Sequence, residues 1–125
     1  MTVPEGMFEA VLPFFATGDL DASIKYYCET LGFKIDEQFH TEDWAMMWAD
    51  GCQLFLLQDR RMAQEINRQQ FQVVVAEVET LYEIHQKNGA EIVKPLAKTS
   101  YGRLEYTVED INGYHFVFGR HVGGG

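Results

Sequence analysis

The first patterned stretch, Ala10 to Ala16 (AVLPFFA), is an apolar run of strand length, and Pro13 within it predicts an edge or irregular strand. From Asp19 the spacing becomes helical. Leu20, Ile24, Tyr27 and Leu31 recur on one side, Asp19 stands at the N-cap, and Gly32 ends the helix in a left-handed position. Phe33 to Phe39 alternates apolar and polar like a half-buried strand, and Trp44–Ala49 and Gln53–Leu57 flank an Asp50-Gly51 turn. Residues 59–69 are polar and mixed in charge, a linker with room for one helical turn. The pattern then restarts with a strand over Phe71–Val75. A helix over Glu77–Asn88 follows, with Val78, Leu81, Tyr82 and His85 on one side and Gly89 closing it. A strand over Ile92–Ala97 leads to a hairpin, Tyr101 to Phe118, about Asp110-Ile111-Asn112-Gly113. The terminal glycines read as a disordered tail.

The second half repeats the first. GDLDASIKYY lies over AEVETLYEIH at an offset of 58, and Gly51 and Gly113 correspond at 62. The expectation is one α+β domain over 1–125. It is built from two βαβββ modules at about 8–58 and 69–119, with curved mixed sheets, helices outside and a concave face within. A concave face is the default ligand site.

Composition narrows the function. At 125 residues, 46% hydrophobic and 23% charged, the chain is ordinary for a soluble globular protein. The net charge of -9 argues against nucleic acid and suits a cationic ligand. No apolar run is long enough to span a membrane. The first eighteen residues hold Glu5 and Glu9 but no Lys or Arg, unlike a secretory signal. Cys28 and Cys52 are unclustered, as reduced thiols in a cytoplasmic protein would be. No phosphate loop, activated-nucleophile motif or CxxC pair is present, and no cofactor is expected.

LPFFATGDLDASIKYYCETLGF, EVETLYE and DINGYHFVF resemble motifs of the vicinal-oxygen-chelate superfamily, which includes glyoxalase I, extradiol dioxygenases, fosfomycin-resistance enzymes and bleomycin-resistance proteins. The last motif departs from the usual Asp-Pro-Asp-Gly at Ile111 and Asn112. Together the motifs span about residues 10 to 119. The resemblance implies four metal-ligand points, which fall here on Leu12, Phe55, Gln70 and Val117. Three of these side chains offer no donor, and one Gln does not hold a divalent cation, so a metal-free site is expected. That expectation points to the bleomycin-resistance branch, with Val11-Leu12-Pro13, Leu31-Gly32-Phe33 and the Trp44 hairpin matching it. The resemblance implies a homodimer with grooves at the subunit interface, in which Trp44 and Tyr101 stack on a planar ligand. Two features depart from the best-known drug binders. The spacing from Tyr101-Gly102 to Glu105-Tyr106 is one residue longer, and Gln72 replaces an aromatic ring.

Period-two geometry then sorts the faces. A two-residue Asp50-Gly51 turn of type I′, the favoured register, pairs Met46 with Phe55 and Trp44 with Leu57, turning Trp44, Met46 and Trp48 to the cavity, whereas a three-residue loop would present Ala45 and Met47 instead. A three-residue loop at 111–113 pairs Thr107 with Val117 and turns Arg103, Glu105 and Thr107 inward. His115 shares the face of Val117, while Phe116 and Phe118 pack beneath the helices. The expected lining is Leu12, Phe14, Trp44, Met46, Phe55, Leu57, Tyr101 and Val117, with polar groups at Gln70, Gln72, Glu105 and Thr107. Aromatic faces of this kind stack flat ligands and attract cations by about 0.5–2 kcal/mol per contact. Glu105 is read either as a partner for a cationic ligand or as half of a salt bridge to Arg103 or Arg120.

The resemblance and these residues together imply a metal-free small-molecule binder that sequesters a planar and/or cationic ligand, such as a cationic aromatic antibiotic, with no catalytic residue assigned. The alternative is an enzyme of the same superfamily, metal-dependent or not, a glyoxalase-like lyase or isomerase or a dioxygenase; a metal-free one would use Glu105 and His115 as acid and base. A third reading is an interaction or sensing module whose cavity is filled by its own side chains. Uncovered sheet edges and an open concave face favour a homodimer.

Overall fold

The computed structural model describes residues 2–65 and 69–123; the middle of the expected linker and the last two glycines lie outside them. The elements of the first half are β1 (Phe14–Thr17), α1 (Leu20–Tyr26), β2 (Lys34–His40), β3 (Trp44–Ala49) and β4 (Cys52–Gln58). A short helix, α2 (Arg60–Gln64), is capped by the Asp59 carboxylate and occupies the start of the polar segment. The second half contributes β5 (Gln70–Val74), α3 (Val78–Lys87), β6 (Glu91–Lys98), β7 (Arg103–Glu109) and β8 (His115–His121).

The two sheets have the same order, β1-β4-β3-β2 and β5-β8-β7-β6. In each, the first strand runs parallel to the last, and the remaining pairs are antiparallel. β1 starts later than its apolar run suggests. Pro13 has no N–H to donate; its carbonyl accepts from Phe55 N at 2.9 Å, and the ladder begins at Phe14. Leu12 therefore precedes the sheet.

Asp19 caps α1 by accepting from Ala22 N, and Gly32 takes φ 91° at the far end. Between them Tyr27–Leu31 widens into a π-helical turn, which periodicity did not foretell. Both hairpin registers match expectation: Trp44 faces Leu57, Met46 faces Phe55, and Thr107 faces Val117. The first turn differs in type. Asp50 carries the positive φ, 53°, whereas Gly51 is not left-handed, so the loop is not type I′.

One core joins the halves. Phe15, Tyr27, Met47 and Leu56 from the first meet Val78, Tyr106, Val108, Phe116 and Phe118 from the second. Each buried side chain of this size contributes roughly 1.5–3 kcal/mol relative to exposure. Two polar pegs cross the seam. The Tyr27 hydroxyl donates to Asp110 Oδ2 at 2.6 Å, while Asp110 Oδ1 accepts from the Asn112 and Tyr114 amides. Burial pushes the Asp110 carboxyl up, opposed by these donors. His85, aligned with Tyr27 in the repeat, is fully buried. Its Nε2 lies 3.0 Å from the Leu31 carbonyl, and its Nδ1 lies 2.7 Å from the Tyr106 hydroxyl. Only a neutral ring with the proton on Nε2 donates to the first and accepts from the second, and burial lowers its pKa accordingly. Asn112 adds a third link, accepting from Thr17 Oγ1 and donating to Ser23 Oγ.

Candidate ligand-binding site

Because the helix-bearing faces of both sheets share the core, the other face of each sheet points away from it. These outer faces carry the expected site residues. On the first sheet, Ala45, Met47, Leu54 and Leu56 are buried beneath the helices, and their neighbours Trp44, Met46, Phe55 and Leu57 therefore face outward. Phe14 and Phe55 stack with centroids 4.8 Å apart and planes 13° from parallel, and Trp44 meets Phe55 edge-on at 5.6 Å. Phe14 is 59% exposed, a large ring offered to solvent at the strand edge. Trp48 extends the patch and carries Lys34 Nζ 5.0 Å above its ring. This is an aromatic shelf.

The second sheet presents different chemistry. Its outer face reads Arg103, Glu105, Thr107 and Glu109 along β7, opposite His121, Gly119, Val117 and His115 on β8. Arg103 Nε donates to Glu105 Oε2 at 3.1 Å, and the Tyr101 hydroxyl donates to Glu105 Oε1 at 2.5 Å. That bond to a carboxylate raises the Tyr101 pKa. Of the two cations within reach in the sequence, Arg103 is the partner of Glu105, and Arg120 lies against Glu79 instead. His115 Nε2 lies 3.0 Å from Glu109 Oε1. The acid–base pair considered from sequence is thus not assembled, since Glu105 stands opposite Gly119 and His115 opposite Glu109. Gln70 and Gln72 are exposed on β5.

The structure brings Phe14, Phe55 and Trp44 together, and Tyr101 with Glu105. No aromatic contact, hydrogen bond or ion pair among the described residues joins the two groups within one copy. Two open cavities lie elsewhere, along the seam between the halves. One, of about 320 Å³, is bordered by Pro13, Phe15, Phe71 and Phe116. The other, of about 710 Å³, is bordered by Phe33, Val75, Leu81 and Phe118. Of the twelve expected lining residues only Gln72 borders either of them.

The superfamily's metal has no fitting donor set here. Leu12, Phe55 and Val117, at three of the four points the resemblance implies, carry only hydrocarbon side chains. Among the described residues no three His, Cys, Asp or Glu side chains gather as a metal ion requires. Sequence reasoning turned Arg103 inward but did not count it, or Gly119, in the site. Both share the face of Glu105 by period two, and that was the available signal.

Two βαβββ units with parallel first and last strands, backed by helices, define an α+β class of paired-module proteins. The model of the Glyoxalase/Bleomycin resistance protein/Dioxygenase superfamily matches residues 10–118, and the chain belongs to that superfamily. Solved structures agree in fold. A bleomycin-binding protein complexed with bleomycin superposes with TM-score 0.77 at 15% identity, covering 91% of this chain and 99% of the other. The bleomycin resistance determinant encoded on the transposon Tn5 gives 0.78 at 15%, covering 91% and 98%. TioX from Micromonospora sp. ML1 gives 0.74 at 22%, covering 90% and 99%. At such identities the likeness extends to fold alone. No curated protein matches the sequence. No helix among the described residues is long and apolar enough to cross a membrane.

Proposed function

We propose that this protein binds a small flat molecule, planar and/or cationic, without transforming it, by stacking it on the Phe14–Phe55–Trp44 shelf. The observation that carries the reading is the shelf itself: Phe14 and Trp44 both packed on Phe55, on a sheet face directed away from the core, with Phe14 more than half exposed. A ring laid on such a surface gains buried area plus about 0.5–1.5 kcal/mol from favourable aromatic geometry. The net charge of -9 favours approach of a cation. Structural relatives described as bleomycin-binding support the same class of activity.

The working unit in this proposal is a cytoplasmic, metal-free homodimer. In one copy Phe14 stands exposed at the edge of the aromatic face, and in this proposal a second copy closes a groove over it. Val3, Met7, Phe8 and Val11, exposed ahead of β1, add apolar surface for that contact. Isothermal titration with bleomycin and related planar cationic drugs tests the reading. Saturable heat with the wild-type chain that disappears in Trp44→Ala supports it. Absence of heat with every planar drug, or binding that ignores Trp44→Ala, refutes it.

A further inference from the structure

The guanidinium of Arg103 is held through Nε and left without a partner at Nη2. Its Nε is engaged by Glu105, whose second oxygen accepts from Tyr101. Both oxygens of that carboxylate are occupied, and its charge is offset by the cation beside it. Donor capacity is what remains. A guanidinium has five N–H groups, and Arg103 Nη2 is buried without a hydrogen-bond partner. Leaving such a donor unpaired costs the desolvation of the group, so an atom of this kind requires an explanation.

Gly119 explains how the guanidinium comes to lie there. It stands opposite Glu105 on β8, and a Cβ at that position would lie 3.0 Å from Arg103 Nη2 and 2.7 Å from Glu105 Cβ. Only a bare backbone leaves room for the arginine. The Arg103 side chain is 16% exposed, so it is largely ordered before any ligand arrives, which lowers the entropic cost of using it. Lys94, opposite Thr107 on β6, places a second cation on the same face.

We propose that Arg103 is the polar specificity residue of the groove a second copy would close, and that the ligand carries an anionic oxygen group, in the simplest case a carboxylate, that pairs with the guanidinium at its unpartnered Nη2. The inference rests on the ring-stacking reading and adds the chemistry of the ligand's polar end. Glu105 and Tyr101 are then positioning residues that hold the guanidinium, rather than acceptors for a cation. A positive charge elsewhere on the ring system remains compatible with the aromatic shelf.

Three probes sharing one ring system test this by isothermal titration of the full chain: 2-naphthoate, 2-naphthalenemethanol and 2-naphthylmethylammonium. The expected result is naphthoate tightest, by about ten-fold over the ammonium, as a charge-assisted pair implies. Arg103→Met abolishes that preference and leaves the alcohol unchanged. Arg103→Lys keeps a charge for Glu105 and so guards against misfolding; it loses the planar edge and reduces the preference by about three-fold or more. Tightest binding by the ammonium, or an equal loss for all three probes in Arg103→Met and Arg103→Lys, overturns this proposal while leaving ring stacking intact. Failure of all three to bind the wild type overturns both.

Discussion

The two outer sheet faces have one backbone plan and opposite chemistry. Aligning the ladders sets Phe14 against Gln72, Trp44 against Glu105, Met46 against Thr107, Trp48 against Glu109, Phe55 against Val117 and Leu57 against Gly119. At five of the six positions a large apolar side chain in the first half gives way to a polar group, or to glycine, in the second. The core faces did not diverge in this way, since both sheets bury apolar residues beneath their helices. Packing holds the inner faces to one solution, whereas the outer faces were free to specialise: one into a stacking surface, the other into a hydrogen-bonded array with direction. The seam shows the same division. Tyr27 and His85 occupy equivalent helix positions, and each sends a polar atom across to the other half, but the partners differ.

The sharpest way to break this comparison is to force one face to resemble the other. Gly119→Leu, which copies Leu57, drives a Cβ to within 2.8 Å of the Leu104 carbonyl oxygen, and should cost about 3 kcal/mol in urea unfolding. Leu57→Val on the aromatic face should cost about 1 kcal/mol; equal costs would mean the glycine is not required by its neighbours. Next in size is Tyr27→Phe, which strips Asp110 Oδ2 of its donor and should lower stability by about 2 kcal/mol. The seam histidine comes third. Its folded pKa lies below its ordinary 6.5, so the unfolded chain takes up the proton first. The stabilisation is complete above that value and is lost as pH falls below it, by at most about 1.4 kcal/mol at pH 5.5. Unfolding midpoints measured across this range should fall for the wild type, and His85→Gln should remove that component. The smallest effect is expected at exposed Tyr101: Tyr101→Phe should leave the urea midpoint unmoved, and a clear drop would show that the Glu105 array depends on it structurally.

Much of this was legible because local rules govern it. Asp19 and Gly32 bracket the helix for reasons visible in their own side chains, and period two assigned Trp44, Met46, Glu105 and Thr107 to faces once each loop length was set. Other features depend on how the halves dock. The burial of His85 needs Leu31 and Tyr106 in place, and the role of Asn112 needs Thr17 and Ser23, which lie 95 and 89 residues away. Glu105 pairs with Arg103, two residues away on the same strand face, while Arg120 stands opposite Leu104 on the other face. Nor does alternation reveal whether two outer faces meet: it says which side a residue takes, while the relation of the sheets is set by the shared core. The π-helical turn at Tyr27–Leu31 had no visible signature.

Both tryptophans of the chain, Trp44 and Trp48, lie on the aromatic face, so tryptophan emission, excited selectively over the tyrosines, reports on that face. Titrating the wild type and Trp48→Phe with bleomycin and a series of smaller planar dyes therefore tests the central claim directly. The account predicts saturable quenching by at least one flat ligand that persists in Trp48→Phe, where Trp44 is the only emitting tryptophan. Emission from Trp44 that stays constant while titration calorimetry records binding would place the ligand elsewhere and contradict it.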